Sequence, residues 1–366
     1  MTNEPRKTVA PAEAASLEID LHRLLGRAPL PIDEAAIAAA VAGKRVLVTG
    51  AGGSIGTRLV ERLRAWGAET LALVDNHENS LFELQNHLGG GERLAFHLAD
   101  VRDFGKLRRL FARHRPQMAF HLAAYKHVPL GEDNADQAFA VNVLGTRNVL
   151  DAAAEAAVDM LVYPSTDKAV YPPSVYGATK RVVELLLRAF AAEVAGPRCA
   201  AVRLVNAVGA QGGVIRVFAR QIVEGRPLTL THEGMSRYWI SLDEAALVVA
   251  QTGCVDARWA LLVPDIGPAV RLTTVARRLQ AMLRPGCEPA FRIIGMRPGE
   301  RLGETLARDD ESLERGPFPG LLAVRDRGPA RPSLAEMRAA VAELERLGAS
   351  GDEEGLRREL FALVRD

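Results

Sequence analysis

VLVTGAGGSIG, residues 46–56, is the stretch on which the fold turns. It joins an apolar, β-branched run, Arg45–Thr49, to an amphipathic pattern, Ile55–Trp66, through Gly50, Gly53 and Gly56. The three glycines serve different physical ends. Gly50 admits a tight turn, Gly53 lets main chain approach a diphosphate, and Gly56 lets the helix pack close on the sheet. Ser54 and Ile55 open the helix, whose free N–H groups and partial positive charge suit an anion. Working outward, Asp75 ends the next strand pattern, Thr70–Val74, 19 residues after Gly56. A carboxylate there accepts from ribose hydroxyls and repels a 2′-phosphate, which favours NAD over NADP. The competing reading is a ligand-free turn and a solvated acid. The strand before, the helix after and the acid on the second strand argue against it.

The alternation continues along the chain. Leu94–Leu98, Met118–Leu122, Met160–Tyr163 and Ala200–Leu204 read as strands. Phe104–Arg113, a long pattern capped by Asp136 and running to about Ala156, and Ala178–Ala195 read as helices. This rhythm predicts an α/β fold: a Rossmann-like, doubly wound parallel sheet with helices on both faces. Upstream, Leu17–Arg27 reads as a helix, and Asp33 caps a second that ends near Gly43. After Asn206 the rhythm loosens; Thr273–Leu283 is helical, and Ser333–Asp366 holds two helical patterns joined by GASGDE. The organisation expected is a helical segment over 1–43, a dinucleotide-binding domain with the catalytic residues over 44–205, and over 206–366 a smaller C-terminal substrate-binding lobe, parts of which return to the first domain. Within the dinucleotide domain, Asp100 and Val101 follow the third strand, where Asp100 could accept from an adenine amino group or simply stabilise a turn. Leu122, Ala123 and Ala124 end the fourth strand with small residues where main chain passes close to the cofactor. Asn142 is a further cofactor candidate that could equally satisfy nearby main chain.

Composition narrows the classes. The chain has 366 residues, 48% of them hydrophobic, enough for a large buried core, and a net charge of +1, which gives no sign of a nucleic-acid surface. Its three cysteines are scattered, without a C-x-x-C pair, so neither a disulfide framework nor a metal site is expected, and a cytoplasmic location fits. No apolar run approaches the roughly 18 residues of a membrane span, and the N-terminus has no signal-peptide core.

The chemistry concentrates in residues 163–180, YPSTDKAVYPPSVYGATK. Tyr176 and Lys180 are one helical turn apart and share a face. A phenol with a pKa of about 10 is a poor base unless a neighbouring ammonium favours the phenolate. Thr166, at a strand end, supplies a hydroxyl that orients the sugar oxygen being oxidised. Asp167 and Lys168 add an acid and a potential base. Once C4 of a hexose is a ketone, the C5 proton is acidic; a base removes it while an acid protonates the departing C6 hydroxyl. An epimerase does not need that pair. The alternative for Asp167 and Lys168 is a surface ion pair at a turn.

These motifs, with LLGRAPLPID, HLAAYKHVPL, NVLGTRNVLDAA, THEGMSRYWISLDEA and GMRPGERLGETL, resemble those of the capsule- and flagellum-type nucleotide-sugar 4,6-dehydratases. These are extended short-chain dehydrogenases/reductases that typically act on UDP-N-acetylglucosamine. The likeness runs from about Leu24 to Leu306. It implies that Tyr176, assisted by Lys180, accepts the C4 hydroxyl proton, that Asp167 is the acid at C6 and that Lys168 is the base at C5. It further implies that Lys126 lies near the sugar or nicotinamide, that Asn206, Arg237 and Arg297 approach the diphosphate, that Glu300 meets the nucleoside, and that the partners are a UDP-sugar and further copies of the chain. There are departures. Long relatives carry a membrane region that is not seen here, and many have Met at the Tyr176 position. Gln211 and Gly213 replace an Arg and a Ser of the family pattern, which bears on the sugar accepted. Two other readings remain: an epimerase that cycles the same cofactor, and a non-catalytic nucleotide-sugar sensor, against which the intact Thr166, Tyr176 and Lys180 argue.

Overall fold

The computed structural model describes residues 21–210, 213–328 and 332–365. Two short helices, α1 (Leu21–Leu25) and α2 (Glu34–Val41), precede β1 (Arg45–Thr49) and α3 (Ser54–Ala65). Then come β2 (Thr70–Asp75), α4 (Glu78–Leu88), β3 (Leu94–Leu98), α5 (Phe104–His114), β4 (Met118–His121), α6 (Val128–Asp133), α7 (Ala135–Phe139) and α8 (Gly145–Glu155). β5 (Met160–Thr166) and α9 (Val175–Glu193) carry the central chemistry, and β6 (Arg198–Leu204) follows. The remainder comprises β7 (Asn206–Val208), α10 (Val214–Val223), β8 (Leu228–Leu230), β9 (Ser236–Arg237), β10 (Trp239–Ser241), α11 (Leu242–Thr252), β11 (Trp259–Pro264), β12 (Val270–Arg271), α12 (Leu272–Leu283), β13 (Phe291–Ile293), β14 (Glu311–Arg315), β15 (Leu321–Asp326), α13 (Leu334–Ser350) and α14 (Glu353–Val364).

Nine strands form one sheet in the order β14-β15-β11-β6-β5-β4-β1-β2-β3. From β11 to β3 all neighbours are parallel; β15 and β14 close the other edge antiparallel. Alternation along β1 sends Leu47 to one face and Val46 and Val48 to the other. On the Leu47 side lie α5, α8, α9, α13 and α14; on the Val46 side lie α2, α3, α4 and α11. Both faces are thus dry, as a parallel sheet requires. The strand order reverses between β1 and β4, and the crevice at their carboxyl ends is where such sheets bind ligands.

A third apolar cluster joins α10, α12 and the short β8–β10 segments with Leu24 and Leu25 of α1. Arg278 ties that helix end down by donating to the Leu24 and Leu25 carbonyls at 3.1 and 2.8 Å. The expected Leu17–Arg27 helix is seen over Leu21–Leu25; its earlier part lies outside the described residues, as does Gln211. The segment after Leu204 contributes heavily to the main sheet through β11, β14 and β15.

Three local expectations change. α4 falls where the sequence reading assigned nothing; only Leu81, Leu84 and Leu88 are buried on it, and Phe82 is exposed, so its core-facing stripe is narrow. The helix expected behind an Asp136 cap opens one residue earlier, at Ala135, with Asp136 in its first turn. It is also interrupted by a π-helical turn over Ala140–Leu144, a rare feature that occurs mostly as a single turn within an α-helix, frequently at functional sites. Finally, β5 runs through Pro164 to Thr166, since β6 pairs with it in parallel as far as Thr166, whereas β4 pairs only with Met160–Val162.

Candidate active site

The cleft at the carboxyl ends of β1, β4 and β5 has a volume of about 600 Å³. Its near wall is the glycine turn. Gly50 has φ +69°, and a Cβ there would stand 2.6 Å from the Ala123 nitrogen. At Gly56 a Cβ would stand 2.1 Å from the Gly50 carbonyl oxygen. Only bare main chain fits this cradle, which leaves the first turn of α3, with Gly53, Ser54 and Ile55, open to the cleft. Leu122 and Ala124 line the cleft, while Ala123 backs onto Gly50. Asp75 accepts the Gly52 N–H through Oδ2 and the His77 N–H through Oδ1, both at 2.9 Å, so it braces the turn it flanks. A diphosphate at the helix end and a ribose at Asp75 fit these residues.

Three cofactor candidates sit differently. Asp100 is held by Arg102 at 2.8 and 3.0 Å and by Asn76 at 3.1 Å. The Arg102 hydrogen bonds keep its carboxyl well below the usual range, at about 2. Val101 is buried against Gly145. Asn142 is fully buried at the π-helical turn, where it binds both the N–H and the carbonyl of Tyr125 and the Thr179 hydroxyl. It props the Ala124–Lys126 segment and does not line the cleft.

The floor is made by the end of β5 and the first turns of α9. Ser174 caps α9 by accepting the Gly177 N–H, which fixes Tyr176 over the cleft. Thr166 donates to Asp167 Oδ1 at 2.9 Å and accepts the Lys168 N–H at 3.3 Å. Lys180 Nζ donates to the Pro164 carbonyl at 2.9 Å and stands 4.4 Å from the Tyr163 ring centre. Burial pulls Lys180 down to about 7, with Glu184 opposing. Burial raises Tyr176; the cation that most opposes this is Lys168, aided by a Thr166 hydrogen bond.

Lys168 is the hub. Its Nζ meets Asp167 Oδ1 at 3.1 Å, Glu304 Oε1 at 2.8 Å and Asn206 Oδ1 at 3.3 Å. Burial alone would lower Lys168, but the two carboxylates outweigh it and hold it raised, as an ammonium. Asp167 is raised by burial and by the Glu304 charge, against the pull of Lys168. Its Oδ2 is buried without a hydrogen-bond partner among the described residues. Glu304 stays low despite burial because Lys168 and Arg237 surround it.

Of the residues expected at the substrate end, Lys126, Asn206, Gly213, Arg237, Arg297 and Glu300 all line the cleft. Burial lowers Lys126. Arg237 Nε lies 3.3 Å from Glu304, and Glu300 accepts the Arg297 N–H at 3.0 Å. Glu304 was missed by sequence reasoning although it lies in the quoted motif GMRPGERLGETL. Its one signal was the four-residue spacing from Glu300, weak in a segment with no periodic pattern.

The chain is similar to known proteins over most of its length. A family model described as "Polysaccharide biosynthesis protein" matches residues 46–326. The probable polysaccharide biosynthesis protein EpsC of Bacillus subtilis is 36% identical over 307 residues, 82% of this chain but 51% of that one, so the chain spans about half of that relative's length. An inverting UDP-N-acetylglucosamine 4,6-dehydratase of Campylobacter jejuni is 32% identical over 74% of this chain and 79% of its own. A Rickettsia rickettsii UDP-glucose 4-epimerase is 31% identical over 73% and 79%. Among solved structures, a Thermus thermophilus UDP-glucose 4-epimerase in complex with NAD superposes with TM-score 0.61 at 26% identity, covering 72% of this chain and 90% of that one. Pen from Bacillus thuringiensis, 24% identical over 82% and 99%, shares the fold with TM-score 0.71. The glycine cradle, the Tyr176 helix and a match over residues 46–326 agree: the chain belongs to the polysaccharide biosynthesis protein family of extended short-chain dehydrogenases/reductases.

Proposed function

We propose that the chain is an NAD-dependent nucleotide-sugar 4,6-dehydratase that takes UDP-N-acetylglucosamine or a related UDP-hexosamine to a 4-keto-6-deoxy sugar. The observation that carries this is the Asp167–Lys168 pair, held side by side at 3.1 Å beneath Thr166 and Tyr176. The 4,6-dehydratase relative from Campylobacter jejuni supports the reaction class; the epimerase relatives support only the shared first step. The dinucleotide, held by the glycine cradle, the α3 N-terminus and Asp75, supplies when bound a two-electron acceptor that is restored within each turnover, so none is consumed.

The chain's own groups handle protons. Tyr176 in its phenolate form, which the Lys168 charge and the Thr166 hydrogen bond favour against burial, accepts the proton of the C4 hydroxyl, with Thr166 orienting that oxygen. Lys168 in its amine form takes the C5 proton. Asp167, whose raised affinity keeps its proton near neutrality, delivers that proton to the C6 oxygen, which leaves as water. Arg237 and Arg297 offer the forked donors that suit a diphosphate.

Product analysis tests the reading. Incubation of UDP-N-acetylglucosamine in deuterated water should yield a product lighter by one water, with deuterium at C5. A product of unchanged mass, epimeric at C4, would establish the epimerase reading instead.

A further inference from the structure

Resting on that reading, one difficulty is chemical: the structure holds Lys168 as an ammonium, whereas removal of the C5 proton needs the amine. Asp167, 3.1 Å from Nζ, holds the proton for the C6 oxygen, so the Glu304 carboxylate, 2.8 Å from Nζ and itself part of the cleft lining, is the acceptor left within reach. It is also engaged by Arg237 Nε at 3.3 Å and by the Asn206 amide at 2.9 Å. Arg237 is therefore shared between Glu304 and the part of the cleft where a diphosphate is expected. Its side chain also donates to the Ser236 and Leu302 carbonyls, which hold it at that boundary.

We propose that Glu304 is a positioning residue that converts Lys168 into the elimination base when a nucleotide diphosphate draws Arg237 away from it. With Arg237 paired, Glu304 is a stabilised anion and keeps Lys168 charged. Once the diphosphate competes for the guanidinium, Glu304 loses one of its two counter-charges in a buried site and gains proton affinity. The transfer balances: one N–H bond of the Lys168 ammonium breaks, one O–H bond forms on Glu304, and the cluster's charge is unchanged. Asp167 keeps its own proton for the C6 oxygen. The base is thus armed only when substrate is seated, and no proton has to reach solvent.

The groups that face Glu304 are Asp167 and Lys168 from the turn after β5, Tyr176 from α9, Arg237 and Tyr238 from the β9–β10 segment, and Arg301 from its own loop. Glu304→Gln removes the acceptor and leaves these other side chains in place. UDP should bind this variant as tightly as it binds the wild type, or more tightly, because Arg237 no longer has to leave a carboxylate. Reduction of the bound nicotinamide in a single turnover should persist, whereas release of water should slow on the order of 100-fold. Below neutral pH the wild-type elimination rate should be flat. That of Glu304→Gln should climb up to about tenfold per pH unit, because Lys168 must then shed its proton to solvent.

Glu304→Asp, which keeps the acid one methylene shorter, should show a reduced rate with the wild-type profile, and it carries the test if the Gln variant does not fold. Wild-type elimination rate and pH profile in Glu304→Gln overturn the inference. So does simultaneous loss of UDP binding and elimination, which marks a structural role. A wild-type chain that never releases water sinks the dehydratase reading itself, a result separable from either.

Discussion

Arg203, fully buried on β6, grips Glu184 of α9 with two hydrogen bonds of 3.0 and 2.9 Å. Glu184 also accepts from Ser165 Oγ at 2.6 Å and from Arg181 at 3.0 Å, and Arg203 reaches on to Glu311 of β14 at 2.6 Å. The cluster bolts the helix that carries Tyr176 and Lys180 to the strand end that carries Thr166.

Breaking this cluster from one side should be costly. Arg203→Leu leaves two buried carboxylates facing a single arginine and is expected to destabilise the fold by about 3–5 kcal/mol, measured by denaturant unfolding. Although burial pushes Glu184 up, Arg203 and Arg181 bring it down to about 2. The unfolded chain therefore binds the more protons between an ordinary carboxyl value and about 2, so this stabilisation is complete above that window and is lost as pH falls through it. Glu184→Gln should lack that part of the acid transition.

His121 predicts a second pH effect. It is buried between Thr49 Oγ1 at 2.7 Å and Thr146 Oγ1 at 2.9 Å, and burial, with Lys180 adding to it, lowers its pKa from 6.5 to about 3. Between those values the unfolded state binds the extra proton, so stability rises with pH across the window and is lost as pH falls toward about 3. Unfolding midpoints of His121→Gln and wild type, compared from about pH 7 to about pH 4, should converge as pH falls. A constant difference would mean that the imidazole does not titrate on unfolding.

Asp75 should matter twice. Asp75→Ala removes both the repulsion of a 2′-phosphate and the acceptor for the Gly52 N–H. Affinity for NAD is expected to fall about tenfold, and the ratio of NAD to NADP binding by more. Titration of both dinucleotides into the variant measures this; an unchanged ratio would remove Asp75 from cofactor choice.

Tyr176→Phe keeps the packing of a half-buried ring and removes the phenolic oxygen. Turnover should drop at least about 100-fold with dinucleotide affinity unchanged, and nicotinamide reduction should vanish in a single turnover. If reduction persists and only water release is lost, Tyr176 belongs to the elimination and not to the oxidation.

Much of this was legible in the linear chain. The strand–turn–helix of residues 45–66 and the alternation through Leu204 announce the sheet, because burial on two faces demands continuous apolar strands and local periodicity records it. Thr166, Asp167, Lys168 and Tyr176 could be read together because they lie within eleven residues of one another on a strand end and a helix start. Helical spacing and the family resemblance both put Lys180 beside Tyr176; in the fold Lys180 Nζ turns to the Pro164 carbonyl, and Lys168 is the cation that opposes the burial of the Tyr176 phenol.

The sequence by itself determined the strand–helix alternation from Arg45 to Leu204 except α4, the glycine cradle and the residue types on the cleft floor, since all of these are written within short windows. Tertiary structure alone decided that Glu304 meets Lys168 from 136 residues away, that Arg203 locks Glu184, and that Asn142 props a loop. It also decided which groups carry protons. Burial and long-range charge, not spacing along the chain, set Asp167 up, Lys180 down and Lys168 as an ammonium.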